Sequence, residues 1–217
     1  MDHGLIIIVG IGNGFGTALT EIFGKAGYDI VLMGRDITRL EQQSRFSVEK
    51  VRDLKIHLIE IDVTDINSVI SAFERVKDLK KPIDCLIYNA VARRNKKPSE
   101  LTAFEVTEDF KVNVGGAVSC THQALRLFEN QNSGTVILTG GGVGINPSLI
   151  ASSMSIGKAG LRNYAVNLHN ELKNSNIFVG TVTITRPVRE ETECSPELVA
   201  GQFFRMFTER GDTEVII

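Results

Sequence analysis

LIIIVGIGNGFG, residues 5–16, decides the fold. Leu5–Val9 is apolar at every position, the pattern of a strand buried on both faces. Glycines follow at Gly10, Gly12, Gly14 and Gly16, and a helical pattern then runs over Phe15–Ala26. Glycine permits a tight turn and lets the backbone come close to a pyrophosphate. The helix behind it aims free N–H groups and the positive end of its dipole at such an anion. The turn is therefore a candidate phosphate cradle made of Gly10, Gly12, Asn13, Gly14, Phe15 and Gly16. Its spacing is GxxxGxG over Gly10, Gly14 and Gly16; the dinucleotide pattern GxGxxG fails because Phe15 stands at its third glycine.

The same alternation continues outward. Strands are predicted at Tyr28–Met33, Ile56–Ile61, Asp84–Tyr88, Thr135–Thr139, Ile177–Thr185 and Glu214–Ile217. Between them lie helical stretches at Thr38–Val48, Ile66–Val76, roughly Val106–Glu129, Ser153–Leu172 and Pro196–Phe207, the last with Ser195 as N-cap and Pro196 in its first turn. Regular strand–helix alternation needs right-handed crossovers and a parallel sheet covered on both faces. The expectation is one α/β Rossmann-type domain over residues 1–217, doubly wound, with about seven parallel strands. Ligands in such folds sit beyond the carboxyl ends of the strands, so the residues after each strand carry the function.

Composition narrows the classes. A charged fraction of 23% with a net charge of −2 provides no field that gathers nucleic acid. The apolar run at the amino terminus is too short for a signal peptide, and no run reaches a membrane span. Cys85, Cys120 and Cys194 are widely spaced, with no CxxC and no metal or disulfide framework, which fits a reducing, cytoplasmic compartment.

Strand two ends in MGRD, residues 33–36. An NAD site usually carries a carboxylate near this point, whereas an arginine can fork onto a 2′-phosphate. Arg35 therefore favours NADP(H) over NAD(H), and Asp36 reads as the N-cap of the next helix. Asn13 stands where a second basic residue would strengthen that preference.

Further landmarks fall in order: Asp62-Val63 ends strand three, Asn89-Ala90 ends strand four, Asn113 sits in the long helix, Lys158 opens the helix after strand five, and Arg186-Pro187 ends strand six. This ordered set resembles the short-chain dehydrogenase/reductase family over nearly the whole chain. The resemblance implies that Asp62 and Val63 contact adenine, Asn89 and Ala90 line the cofactor floor, and Pro187 borders the cofactor. It implies that Asn113 holds a helix kink and a water. Lys158 would bind the nicotinamide ribose and lower the pKa of a catalytic tyrosine.

That tyrosine is expected four residues before the lysine, where Met154 stands, and its partner serine about thirteen residues earlier still, where LTGGG places Gly141. Thr139 is the nearest hydroxyl. The stretch MSIGKAG resembles the enoyl-acyl-carrier-protein reductase branch, but the tyrosine position of that branch is Ala151 here. The family's substrate lid is reduced to residues 188–195. On this resemblance Asn113 and Lys158 are what remains of the catalytic set, and a homodimer or homotetramer is implied. Ser153 and Ser155 flank Met154 but face about 100° away on either side of a helix, and Tyr88 and Tyr164 read as packing.

The basic run ARRNKKP, residues 92–98, reads as a solvated loop, with a landing site for an anionic, small or carrier-bound substrate as the alternative. Two functions remain in play: an NADP(H)-dependent oxidoreductase with a nonstandard proton donor, and a dinucleotide-binding pseudoenzyme that senses or partners.

Overall fold

The computed structural model describes residues 3–12 and 14–217. Seven strands form one parallel sheet in the order β3-β2-β1-β4-β5-β6-β7. They are β1 (Leu5–Val9), β2 (Asp29–Gly34), β3 (Ile56–Glu60), β4 (Ile83–Tyr88), β5 (Gly134–Gly141), β6 (Ile177–Ile184) and β7 (Glu214–Ile216). The helices are α1 (Phe15–Lys25), α2 (Ile37–Lys50), α3 (Ile66–Lys77), α4 (Ala103–Phe110), α5 (Gly116–Gln131), α6 (Ser152–Leu172) and α7 (Pro196–Glu209).

Strand alternation builds two cores. Leu5, Ile7 and Val9 face one side of the sheet and pack with residues of α3, α5 and α6, such as Phe73, Phe128 and Leu161. Ile6 and Ile8 face the other side, against Leu19 and Phe23 of α1, Leu40 of α2 and Phe203 of α7. Every residue of β1 is buried, so both faces are covered, as its unbroken apolar run requires. Asp36, Asp65 and Ser195 cap α2, α3 and α7 by accepting from the backbone N–H groups of Arg39, Asn67 and Leu198.

The long helix expected over Val106–Glu129 is three segments. A π-helical turn, Lys111–Gly115, separates α4 from α5. It is stabilised from outside the helix. The buried Tyr88 hydroxyl donates to Val112 O at 2.6 Å. A Cβ on Gly116 would lie 2.5 Å from that hydroxyl, so glycine is needed for the helix to approach β4 so closely. Tyr88 is thus a structural residue, and burial pushes its pKa well up.

The order of strands reverses direction between β1 and β4, where the chain winds first to one side of the sheet and then to the other. Connections diverge at such a switch point and leave a crevice at the carboxyl ends.

Candidate functional site

A cleft of about 1170 Å³ lies at those carboxyl ends. The turn after β1 forms one wall. Gly10 has φ +86°, and a Cβ there would lie 2.5 Å from the Ala90 backbone, so only glycine lets the turns after β1 and β4 meet. Asn89 fastens the same approach, its Nδ2 donating to Gly10 O at 2.8 Å. Nothing stands within 4 Å of a Cβ on Gly12, which faces open space. Gly14 takes φ +76° as the cap of α1. Gly10, Gly12 and Phe15 line the cleft. Gly14 lines a smaller neighbouring pocket of about 480 Å³ instead. Gly16 serves packing, since a Cβ there would meet Ile11 Cγ2 at 2.6 Å. Asn13 lies outside the described residues.

Beyond β2 and β3 the lining includes Arg35, Asp36, Arg39, Asp62 and Val63. Asp62 Oδ1 accepts from the hydroxyl and N–H of Thr64 at 2.7 and 2.9 Å. Those bonds, led by the hydroxyl, hold its carboxyl below the usual range, and Arg35 adds to the effect. Arg39 escaped the sequence reading; it lies in the first turn of α2, just past the cap Asp36.

The other end of the cleft is lined by Asn89, Ala90, Arg93, Thr139, Gly141, Met154, Lys158 and Pro187, among others. Lys158 is buried and its Nζ donates to Thr139 O at 2.6 Å. Burial lowers its pKa from an ordinary 10.5 to about 8, with a smaller contribution from the charge of Arg93. Thr139 Oγ1 is buried and has no hydrogen-bond partner among the described residues. A Cβ on Gly141 would lie 3.3 Å from Lys158 Cγ, so that position faces the lysine. Gly140 faces the opposite side, toward Thr181 and Thr183. Met154 therefore shares the cleft with Lys158 and Gly141, as the helical spacing and strand alternation require.

Asn113 does not line the cleft. It is buried within the π-helical turn, where its Oδ1 accepts from Ala92 N at 2.8 Å and its Nδ2 donates to Ala92 O at 3.2 Å. It holds the loop after β4 rather than a ligand. The serines beside Met154 are also engaged elsewhere. Ser153 donates to Asp109 Oδ2 at 2.6 Å, and Ser155 donates to Ala151 O at 3.0 Å.

The basic run is not a uniformly solvated loop. Arg94 forks onto Asp109, with both contacts at 3.2 Å, and reaches Glu105 at 3.2 Å. Lys96 bonds Glu105 at 2.7 Å, and this bond leads the effects that bring the Glu105 carboxyl down to about 2. These partners lie on α4, too far along the chain for the run itself to reveal them. Residues 188–195 carry no helix or strand and are largely exposed, apart from the buried Cys194. Among the described residues no helix is long and apolar enough to cross a membrane, and no cluster of metal-ligating side chains occurs.

The family model described as short chain dehydrogenase matches residues 4–196. The chain belongs to that family. Among curated relatives it is 27% identical to the 3-oxoacyl-acyl-carrier-protein reductase of Aquifex aeolicus over 176 residues, covering 81% of this chain and 71% of the relative. The alcohol dehydrogenase of the archaeon Thermococcus sibiricus, solved with 5-hydroxy-NADP, superposes with a TM-score of 0.85 at 17% identity, covering 99% of this chain and 96% of the other. A variant of the actinorhodin polyketide ketoreductase with NADPH superposes with a TM-score of 0.87 at 17% identity, covering 100% and 96%. At these identities the structural likeness establishes the shared fold, the doubly wound Rossmann type. The family's oxidoreductase chemistry and its nicotinamide dinucleotide fit the crevice at the switch point.

Proposed function

We propose that the protein is an NADP(H)-dependent oxidoreductase that acts on a carbonyl compound with a weakened proton-delivery set. The observation that carries this reading is Lys158, buried in the cleft wall with a pKa of about 8 and facing Gly141 and Met154. The crevice fits a dinucleotide. Gly10 and Gly12 leave the turn open for a pyrophosphate before α1, Asp62 and Val63 form the adenine side, and Arg35 and Arg39 together offer a 2′-phosphate two guanidinium groups. Asn89, Ala90 and Pro187 border the nicotinamide side, and Lys158 is the ribose ligand.

Bound nicotinamide supplies or accepts the hydride. The chain must handle the proton. Gly141 and Met154 bring no ionisable hydrogen, and Ser153 and Ser155 are committed to other partners. The Lys158 ammonium is left as the donor to a developing alkoxide, and solvent returns its proton afterwards. A pKa of about 8 suits such a donor near neutral pH. Asn113 keeps its place as a positioning residue through Ala92.

Titration with NADPH and NADH by fluorescence or calorimetry tests the reading. Tighter binding of NADPH, followed by slow oxidation of NADPH with carbonyl compounds that disappears in Lys158→Met, is expected. Binding of neither dinucleotide at millimolar concentration would overturn it. The same absence of a hydroxyl at residues 141 and 154 favours a second reading, a dinucleotide-binding sensor or partner subunit, which NADPH binding without turnover on any carbonyl or enoyl compound would support.

A further inference from the structure

The charges lining the cleft divide unevenly. Both lining carboxylates, Asp36 and Asp62, follow β2 and β3; from Asn89 onward the lining holds Arg93, Lys158 and Arg186 and no carboxylate. Arg186 is spoken for by Glu193 at 2.6 Å. Arg93 makes no hydrogen bond or ion pair among the described residues, although its charge reaches Lys158.

The loop around Arg93 is built to hold it outward. Residues 91–97 alternate between exposed and half-buried positions, with Ala92, Arg94 and Lys96 on the inner side. Both backbone groups of Ala92 are taken by the Asn113 amide. Arg94 is forked onto Asp109, which Ser153 also bonds from α6. Arg93 therefore stands between two fastened neighbours, exposed and on the cleft wall. Little conformational freedom of the backbone remains to be lost when it meets a ligand. A second cation beside a buried ammonium repels it, and a ligand anion removes that repulsion. Arginine stays charged at any working pH, and its fork matches a carboxylate or phosphate.

We propose that Arg93 anchors the substrate, and that the molecule accepted in this half of the cleft carries a carboxylate or phosphate monoester close to its reacting carbonyl. The inference rests on the oxidoreductase reading above and adds a substrate class to it.

The test uses the full chain saturated with NADP⁺, which has no hydride to give, so binding is read without turnover. NADP⁺ affinity is measured first for each variant. Calorimetric titrations then compare 2-oxobutyrate with its methyl ester, and dihydroxyacetone phosphate with dihydroxyacetone. The expected result is that one anion binds about 10- to 100-fold tighter than its neutral partner, the range of a charge-assisted pair. Whichever pair shows the preference identifies the anion as carboxylate or phosphate. Arg93→Gln brings that ratio close to one, and Arg93→Lys keeps part of it. With NADP⁺ bound, a ratio near one in the wild type, no binding of either anion, or a preference that survives Arg93→Gln overturns the inference alone. Absence of NADP⁺ binding overturns the parent reading, and this inference with it.

Discussion

The pair Gly141→Ser and Met154→Tyr tests whether proton delivery is what the cleft lacks. Gly141 has φ −156° and ψ 138°, extended backbone that any residue adopts. A Cβ there lies 3.3 Å from Lys158 Cγ and 3.6 Å from Cδ, so a flexible lysine stem must yield by tenths of an ångström. Met154 already lines the cleft one turn before Lys158, and the new phenol takes its place. A phenol beside the Lys158 ammonium has its pKa drawn down toward neutrality by the positive charge. A positioned general acid contributes about 10²–10⁴-fold, or roughly 3–5 kcal/mol of barrier. An oxyanion donor contributes about 10²–10³-fold. Groups that act as a unit do not add, so the double variant is expected to turn over carbonyl compounds about 10²–10⁴-fold faster than the wild type. Gly141→Ser alone should give less than about tenfold, because it adds a hydrogen-bond donor but leaves proton delivery to the Lys158 ammonium as before. The assay is loss of NADPH absorbance with a panel of ketones and aldehydes, after NADPH binding has been verified for each variant. A folded, NADPH-binding double variant that turns over no faster than the wild type would refute the reasoning.

Three other outcomes follow from the same geometry. Burial leaves the Lys158 pKa at about 8 against 10.5 in an unfolded chain, so between those values the unfolded state binds more protons and stability rises with pH. Relative to Lys158→Met, the wild type should gain roughly 3 kcal/mol across that window in urea titrations, and a pH-independent difference would contradict the buried, destabilised ammonium. Arg35→Asp should weaken NADPH about 10- to 100-fold and favour NADH; an unchanged ratio by fluorescence titration would remove Arg35 from the 2′-phosphate site. Gly10→Ala forces a Cβ against Ala90 at a φ of +86°. It should lower stability by about 1–3 kcal/mol and abolish NADPH binding, so full binding in a stable variant would show that the turn is not a cradle.

How much of this was legible depended on the range of the interaction. The central strands announced themselves through apolar runs such as Leu5–Val9 and residues 30–33, and caps such as Asp36 and Ser195 act over three residues. The π-helical turn was not legible, since the Tyr88 hydroxyl that bonds its Val112 carbonyl arrives from another element. Asn113 lies in the π-helical turn, and its amide bonds Ala92, 21 residues away. Arg93 and Arg94 look equivalent in the run; only the carboxylates of α4 and the alternating loop separate them.

The pairing of β1 with β4 sets a folding order. Val9 lies beside Tyr88, and the intervening chain forms β2, β3 and three helices on one flank of the sheet. Closing so long a loop must precede the contacts that reward it, and parallel pairings of this kind are intrinsically slow. The cleft straddles that seam, with Gly10 on one side and Ala90 on the other. The site thus comes into being only when the two flanks zip together. In a refolding experiment, recovery of dinucleotide binding should track the last phase of sheet formation and lag the early appearance of helix.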